Sequence, residues 1–346
     1  MTVKSAISVG LLIVLLAGAA PRDAGAWAEE GHRIVARIAS RLVSARVRNA
    51  AVKLLTQPAP DPFLAKCASQ QLPVSSAADK LACVANWADA VRNAGGHLAT
   101  AEDHFVNIPI TDPGFDPKFC TKGCVVDAID RMKKALLDPA TPFDKRREAL
   151  KYLIHFVGDL HQPLHTALDE DRDLTADGNP KKNLDDGQGD RGANRKIAKW
   201  LGDEANQFGC WNVHAVWDAG IIDQTGGKEQ AFAKRLGDRL TPAKRQQLEG
   251  GDTVAWTNEA FKLAVNHAYK DLTPLNGDPN DLVCQIEDAH HAKQCVAFEP
   301  TVCAKVEVHR RYTLDQSYFD KNKGIVDDQL TAAGVRLAKL LREVFK

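Results

Sequence analysis

Residues 150–165 have the sequence Leu-Lys-Tyr-Leu-Ile-His155-Phe-Val-Gly-Asp159-Leu-His161-Gln-Pro-Leu-His165. The apolar residues around His155 predict a helix, and in a helix His155 and Asp159 lie on one face, one turn apart. An ionised carboxylate in an apolar helix is unfavourable unless a cation or hydrogen bonds compensate its charge. A metal ion bound by both side chains would supply that compensation.

A second pair with the same spacing follows later in the chain, in His214-Ala-Val-Trp-Asp218. One such pair on a helix is more often a solvated surface pair, but two in one chain indicate a metal centre. Neutral imidazoles and carboxylates without thiolates suit zinc and leave coordination positions open for water and substrate. The spacing alone leaves manganese and iron open.

The first 26 residues have the pattern of a secretory signal peptide. Lys4 lies near the start, Ile7–Ala20 is an apolar stretch, and Ala24-Gly25-Ala26 is a small-residue cleavage site. We therefore expect residues 27–346 to be exported to the periplasm or secreted, without a membrane anchor. An uncleaved anchor is the less favoured alternative, because a proline and charged residues interrupt the apolar stretch. Cleavage would free the α-amino group of Trp27, which could chelate a metal ion together with the Trp27 carbonyl and His32.

The charge balance excludes a generally cationic, nucleic-acid-coating protein. The 346 residues contain 45 basic and 45 acidic side chains, and loss of the signal would move the formal charge to about minus one. Any contact with nucleic acid must therefore come from a local site or from metal charge.

All eight cysteines lie beyond the signal. An even number in an exported protein favours disulfides, and we favour Cys67 with Cys83 and Cys120 with Cys124. The spacing of Cys120 and Cys124 would also permit a thiolate zinc site, so that alternative stays open.

Helical periodicity predicts an all-α fold, with one mostly helical domain over residues 27–346. The predicted helices are Gly31–Ala50, Asp79–Asn93, Val125–Leu137, Lys145–His161, Ala193–Phe208, Thr253–Ala268 and Gln329–Phe345. Strand-like alternation is confined to Phe105–Ile110. The segment 169–192 has acidic residues that faintly suggest a calcium loop, but their order is not that of an EF-hand. We expect a solvated loop over the site.

Six short motifs occur in the order found in a known family. They are Trp27-x4-His32, Trp87-Ala-Asp89-Ala-Val-Arg92, His104-Phe-Val-Asn107, His155-x3-Asp159-x-His161-Gln-Pro-Leu-His165, Gly189-Asp-Arg-Gly-Ala-Asn194 and His214-x2-Trp217-Asp218. Together they resemble the trinuclear-zinc nuclease family of the S-one and P-one type, which is related to zinc-dependent phospholipase C.

The resemblance implies three zinc ions (Zn2+) per chain. It assigns the first ion to Asp89, His104, His155 and Asp159. It assigns the second ion to His165, His214 and Asp218, and the third to His32 and the terminal amine and carbonyl of Trp27. Asp159 would bridge the first and third ions, so that it also belongs to the catalytic residues.

The implied activity is hydrolysis of the bond between phosphorus and O3′ in single-stranded DNA and RNA. The products would carry 5′-phosphates, and an accompanying 3′-nucleotidase activity would act on 3′-nucleotides. We expect the protein to be a monomer. Zinc would lower the pKa of water toward neutrality and so supply a nucleophile without a side-chain base.

Four side chains are expected to contact the substrate, namely Arg92, Phe105, Asn107 and Asn194, and all of these except Phe105 are also expected to act in catalysis. Arg92 would neutralise developing phosphoryl charge, Asn194 would hydrogen-bond the scissile phosphate, and Phe105 would stack on a base. Their structural alternatives are a helix salt bridge for Arg92, a turn side chain for Asn194 and a buried core position for Phe105.

Two positions depart from the family pattern. Asn107 stands where many members have an aspartate near the attacking water, and an amide cannot act as a general base. It could still orient water or a base edge, so the change concerns pH optimum and nucleotide preference. Ala193 stands where the family usually has glycine.

Two other functions are weighed against the nuclease. Zinc-dependent phospholipases C typically have Glu at the position of Asp218 and lack the Trp-Ala-Asp-x-x-Arg context. A non-catalytic zinc-binding protein would need neither open coordination positions nor an arginine beside them.

Overall fold

The computed structural model describes residues 27–170, 189–206, 209–274, 281–287, 293–303, 306 and 308–346. The predicted signal peptide and most of the predicted loop, residues 171–188, lie outside the described residues. Among the described helices, none combines the length and apolar character that a membrane span requires.

The described residues form thirteen α-helices, joined by short 3-10 and π-helical turns. The α-helices are α1 (Glu29–Leu42), α2 (Ala45–Thr56), α3 (Pro62–Ser69), α4 (Ala77–Val84), α5 (Trp87–Asn93), α6 (Val125–Leu137), α7 (Phe143–Leu160), α8 (Val213–Ala215), α9 (Ile221–Thr225), α10 (Glu229–Asp238), α11 (Pro242–Leu248), α12 (Thr253–Leu263) and α13 (Gln316–Val344). The 3-10 segments are Leu98–His104, Pro117–Cys120 and Pro163–His165, and the π-helical segments are Val216–Gly220 and Ala264–Tyr269.

The centre of the fold is α7, in which every residue from Ala149 to Leu160 is buried. It packs against α6, α13 and α1, and α1 packs along α13. The apolar residues that predict this helix therefore face the core on all sides, as expected of a helix that is hydrophobic around its circumference. His155 and Asp159 are consequently held in the interior of the molecule.

Seven short strands complete the described structure. They are β1 (Ile197–Trp200), β2 (Ala205–Asn206), β3 (Gly209–Cys210), β4 (Thr273–Pro274), β5 (Leu282–Glu287), β6 (Lys293–Ala297) and β7 (Val308–Leu314). The larger sheet has the order β1-β7-β5-β6, with β4 also paired to β7, and β2 pairs with β3. In this sheet β1 runs parallel to β7, with Ile197 opposite Arg311.

The mostly helical prediction is confirmed, but two predicted segments are wrong. The described part of Ala193–Phe208 is not a helix, because positive φ angles at Ala193 and Leu201 interrupt it and its apolar residues pair with β7 instead. Phe105–Ile110 is extended but forms only a single bridge, from Pro109 to Leu168, and therefore no strand. The strands after residue 270 were not predicted.

Both favoured disulfides are confirmed, Cys67 with Cys83 and Cys120 with Cys124. The remaining cysteines pair as Cys210 with Cys295 and Cys284 with Cys303. Since Cys120 and Cys124 are bonded to each other, the alternative of a thiolate zinc site is wrong.

Candidate metal centre

The predicted ligands come from six helical segments of the fold, together with Trp27 just before α1, and meet in its interior. The central helix α7 supplies His155 and Asp159, α5 supplies Asp89, and the 3-10 turn before residue 105 supplies His104. The three side chains from α7 and the 3-10 turn are completely buried.

These four residues are called the first group. His104 Nδ1 lies 2.9 Å from Asp159 Oδ2, and His155 Nε2 lies 3.2 Å from the same oxygen. Asp89 Oδ1 lies 3.6 Å from both imidazole nitrogens. Two nitrogens and two carboxylates thus converge on one point, a donor set suited to a divalent cation.

Asp159 also faces His32 on α1. While its Oδ2 atom belongs to the first group, its Oδ1 atom lies 3.2 Å from His32 Nε2. The His32 ring stacks on that of His155, with centroids 3.9 Å apart. Oδ2 therefore faces the nitrogens of His104 and His155 while Oδ1 faces the nitrogen of His32, an arrangement suited to bridging two ions.

The second group consists of His165, His214 and Asp218. The two imidazole Nε2 atoms are 3.2 Å apart, and His214 Nε2 lies 3.3 Å from Asp218 Oδ2. His214 and Asp218 belong to one continuous helical stretch that changes from α to π geometry between them. All three side chains are buried, and their ligand atoms are close enough to hold one ion.

Backbone carbonyls fix the orientation of three of the imidazoles. The Nδ1 atoms of His155, His165 and His214 bond to the carbonyls of Ala85, His104 and Gly192, at 2.7, 2.7 and 2.6 Å. Donation through Nδ1 leaves the lone pair of Nε2 facing the centre. His104 instead turns Nδ1 toward Asp159.

Gln162 orients the carboxylate of the second group, a role that the sequence analysis did not identify. Its Nε2 donates to Asp218 Oδ1 at 2.6 Å, and its Oε1 accepts from Leu164 N at 2.6 Å. The bond to Leu164 assigns the amide orientation. Asp218 Oδ2 is thereby left for a cation. The signal available in sequence was the position of Gln162 between His161 and His165.

The residues present fit metal ions in their electrostatics as well. Asp159 Oδ1 and Asp218 Oδ2 are buried and accept no hydrogen bond from the described residues, which is unfavourable unless a cation compensates them. Burial lowers the pKa of His155, but the carboxylates of Asp159 and Asp89 outweigh burial and raise it to about 10. A proton and a metal ion therefore compete for the first group, and metal binding releases protons.

The pKa of the second group's His165 moves in the opposite direction. Burial and the neighbouring His214 lower it to about 4, although Asp159 and Asp218 act against them. His165 is thus neutral at pH 7, which is the form that binds metal.

Trp27 lies beside these groups at the start of the described chain. Its side chain is completely buried, and Ala28 N donates to the carbonyl of Asp218 at 3.0 Å. A Cβ atom at Gly31 would lie 2.8 Å from Trp27 Cβ, so the glycine allows Trp27 to pack against α1. His32 is the residue after Gly31 in α1.

A cleft of about 1100 Å³ opens over the groups. Its walls include the predicted substrate-contacting residues Arg92, Phe105, Asn107 and Asn194, together with the metal-binding candidates Asp89, His165, His214 and Asp218. The structure thus brings Arg92, Phe105, Asn107 and Asn194 to one cavity, whereas Asp159, the remaining predicted catalytic residue, is completely buried and does not line it.

Two of these side chains also make the structural contacts weighed as alternatives. Arg92 Nη2 lies 3.1 Å from Asp89 Oδ1, and Asn194 Nδ2 donates to the carbonyl of Arg191 at 2.9 Å. Neither contact removes the side chain from the cleft. Arg92 is therefore held beside the first group by a carboxylate that belongs to it.

The loop that carries Asn194 requires unusual backbone geometry. Gly192 has φ +60°, and a Cβ atom there would lie 2.3 Å from the carbonyl oxygen of Leu164. Ala193, where the family usually has glycine, has φ +65°, a conformation that favours glycine. The departure noted in the sequence is accommodated here by a strained alanine.

Comparison with known proteins shows similarity over nearly the whole chain. The sequence model described as S1/P1 Nuclease matches residues 27–346. Nuclease P1 of Penicillium citrinum is 24% identical over 325 residues, covering 92% of this chain and 97% of the relative. Nuclease PA3 of a Penicillium species has the same identity and coverage. Endonuclease 2 of Arabidopsis thaliana is 25% identical over 359 residues, covering 97% of this chain and 96% of the relative.

Proposed function

The chain belongs to the S1/P1 nuclease family, and we propose that it is a zinc-dependent endonuclease specific for single-stranded DNA and RNA. It cleaves the bond between phosphorus and O3′, leaves 5′-phosphorylated products and also acts on 3′-nucleotides. The observation that carries the proposal is the position of Asp159, whose two oxygens face His104 and His155 on one side and His32 on the other.

Three zinc ions would be held by the residues named from the sequence. The first group would hold one ion and the second group another, while His32, Asp159 and the amine and carbonyl of Trp27 would hold the third. Imidazole and carboxylate donors without thiolates support zinc as the metal. When bound, zinc supplies Lewis-acid polarisation of the phosphate and lowers the pKa of water toward neutrality.

The side chains of the cleft position the substrate for this chemistry. Arg92 places a fixed positive charge beside the scissile phosphate, where charge develops in the transition state. Asn194 donates to a phosphate oxygen with the amide hydrogen that the turn does not use. Phe105 offers a face for a base, and Asn107 orients water or a base edge without removing a proton.

We further propose that the protein is a monomer exported to the periplasm or secreted. The four disulfides support an oxidising compartment. A phospholipase C is not favoured, because the family match spans residues 27–346 and Asp218, not glutamate, completes the second group.

The purified protein is expected to contain about three zinc ions per chain, because there are three sets of ligands, of which the first and third share only Asp159. Chelation should abolish hydrolysis of single-stranded oligonucleotides, and added zinc should restore it. Elemental analysis and mass spectrometry of the products on one sample test both points. One metal ion or none in an active preparation, or products with 3′-phosphates, would contradict the proposal.

Gly158→Ala is expected to remove about one zinc ion per chain. A Cβ atom at Gly158 would lie 2.5 Å from His32 Nδ1, so His32 must move away from Asp159. Overpacking of this kind destabilises a protein by roughly 1 to 3 kcal/mol. Zinc content and thermal unfolding measure the two effects.

Gly324→Ala in α13 is the matched control, since nothing lies within 4 Å of the added atom and alanine favours a helix. Full zinc content in folded Gly158→Ala would show that His32 is not a ligand.

A further inference from the structure

One wall of the cleft is formed by α3, which carries none of the predicted ligands or substrate contacts. Phe63 and Lys66 of α3 line the same cavity as Asp89, Arg92 and Asn194. Phe63 is half-buried and Lys66 is exposed. A nucleic acid positioned over the metal-binding groups can therefore extend along this wall.

The wall is rigidly attached to α7, which carries His155 and Asp159, and to α4. Asp61 caps α3 by accepting from Phe63 N at 2.9 Å, and its other oxygen pairs with Lys151 of α7 at 2.9 Å. Both members of the ion pair are buried. The disulfide from Cys67 to Cys83 ties the other end of α3 to α4. The wall is consequently preorganised, which limits the ordering entropy lost on binding.

The chemistry of the wall suits a single strand. The ammonium of Lys66 lies 5.3 Å from the centre of the Phe63 ring, and among the described residues no carboxylate forms an ion pair with it. An aromatic ring and a mobile cation side by side match a base and the phosphate next to it. In duplex DNA the bases are stacked and paired, so that they cannot contact the Phe63 ring.

Lys66 gives the α3 wall of the cleft a positive charge that attracts phosphates. The cations that line the cleft include Lys66 of α3 and Arg92 of α5, and its carboxylates include Glu30 of α1 and Asp223 of α9. A phosphate backbone is attracted to the first pair and repelled by the second. A strand held at Arg92 is therefore also attracted to Lys66 of α3.

We propose that α3 binds a nucleotide beyond the two that flank the scissile phosphate, with Phe63 against its base and Lys66 at its phosphate. The inference rests on the proposed nuclease function and concerns its substrate. It makes longer single strands better ligands than dinucleotides, because only a longer strand reaches α3.

The test measures binding of zinc-loaded protein to single-stranded oligodeoxynucleotides of two and ten residues with hydrolysis-resistant phosphorothioate linkages. The slope of log affinity against log salt concentration is negative, and Lys66→Ala is expected to reduce its magnitude by about 0.7 for the longer strand, the value for one phosphate contact. Phe63→Ala is expected to weaken binding of that strand on the order of tenfold. Lys244→Ala is the control, since Lys244 is an exposed lysine of α11 that does not line the cleft.

The outcomes separate the two proposals. If the wild type cleaves single strands but Lys66→Ala has the affinity and salt slope of Lys244→Ala, α3 does not contact the strand and the inference is overturned. If Phe63→Ala is unstable, Lys66→Ala alone decides. If the wild type neither binds nor cleaves single strands, the proposed function fails and the inference fails with it.

Discussion

Replacing Asp159 with asparagine is expected to lower nuclease activity on the order of 10⁴-fold, because each bound ion contributes several kcal/mol of transition-state stabilisation and this carboxylate faces two sets of nitrogens. The change preserves side-chain volume but removes a charge and one acceptor oxygen. Zinc content should fall with it. Turnover of a defined single strand and elemental analysis, measured together, give the result.

Arg92→Ala is the comparison that separates assembly of the centre from stabilisation of the phosphate. Arg92 lies 3.1 Å from Asp89 and forms an ion pair with no other predicted ligand among the described residues. Its loss is expected to lower activity by roughly 10²- to 10³-fold with zinc retained. Loss of zinc in Arg92→Ala together with its retention in Asp159→Asn would overturn the ligand assignment.

The pairs within the centre could be predicted because their geometry is local. In an α-helix, residues four apart share a face, so His155 and Asp159 are neighbours wherever α7 packs. The continuous apolar surroundings of this helix also predict its burial. For His214 and Asp218 the same spacing suffices, although the helix between them becomes π-helical.

The meeting of these pairs with Asp89, His104 and His32 depends on tertiary structure. Spacing along the chain does not show that α1, α5 and α7 converge, and only the family resemblance brought these residues together. The supporting contacts were missed for the same reason. Gly158 matters because α1 crosses α7 there, and Gln162 matters because it reaches Asp218.

Nonlocal pairing also explains the wrong helix at Ala193–Phe208. Its apolar periodicity is compatible with a helix, but β1 obtains its partner from β7, more than a hundred residues later. The left-handed backbone at Gly192 and Ala193 serves the cleft, since the carbonyl of Gly192 orients His214. Local preference therefore yields to the requirements of the site.

A single methionine placed before Trp27 is expected to remove about one zinc ion and to slow cleavage strongly. It converts the α-amine into an amide, which has no lone pair to donate to zinc, so the set formed with His32 and Asp159 loses a ligand. The position of Trp27 supports this role, because its buried side chain packs beside Gly31 and its neighbour Ala28 is bonded to the carbonyl of Asp218. Zinc content, turnover and intact mass are compared with those of the signal-processed protein.

The comparison must separate the amine from folding, so the version bearing methionine is oxidatively refolded until its four disulfides have formed. An aminopeptidase that removes the methionine then regenerates the amine on the same folded chain. Zinc and activity should return together, because only the third set of ligands includes Trp27. Equal zinc content and turnover before this treatment, with the methionine shown by mass to be retained, would refute the role of the amine.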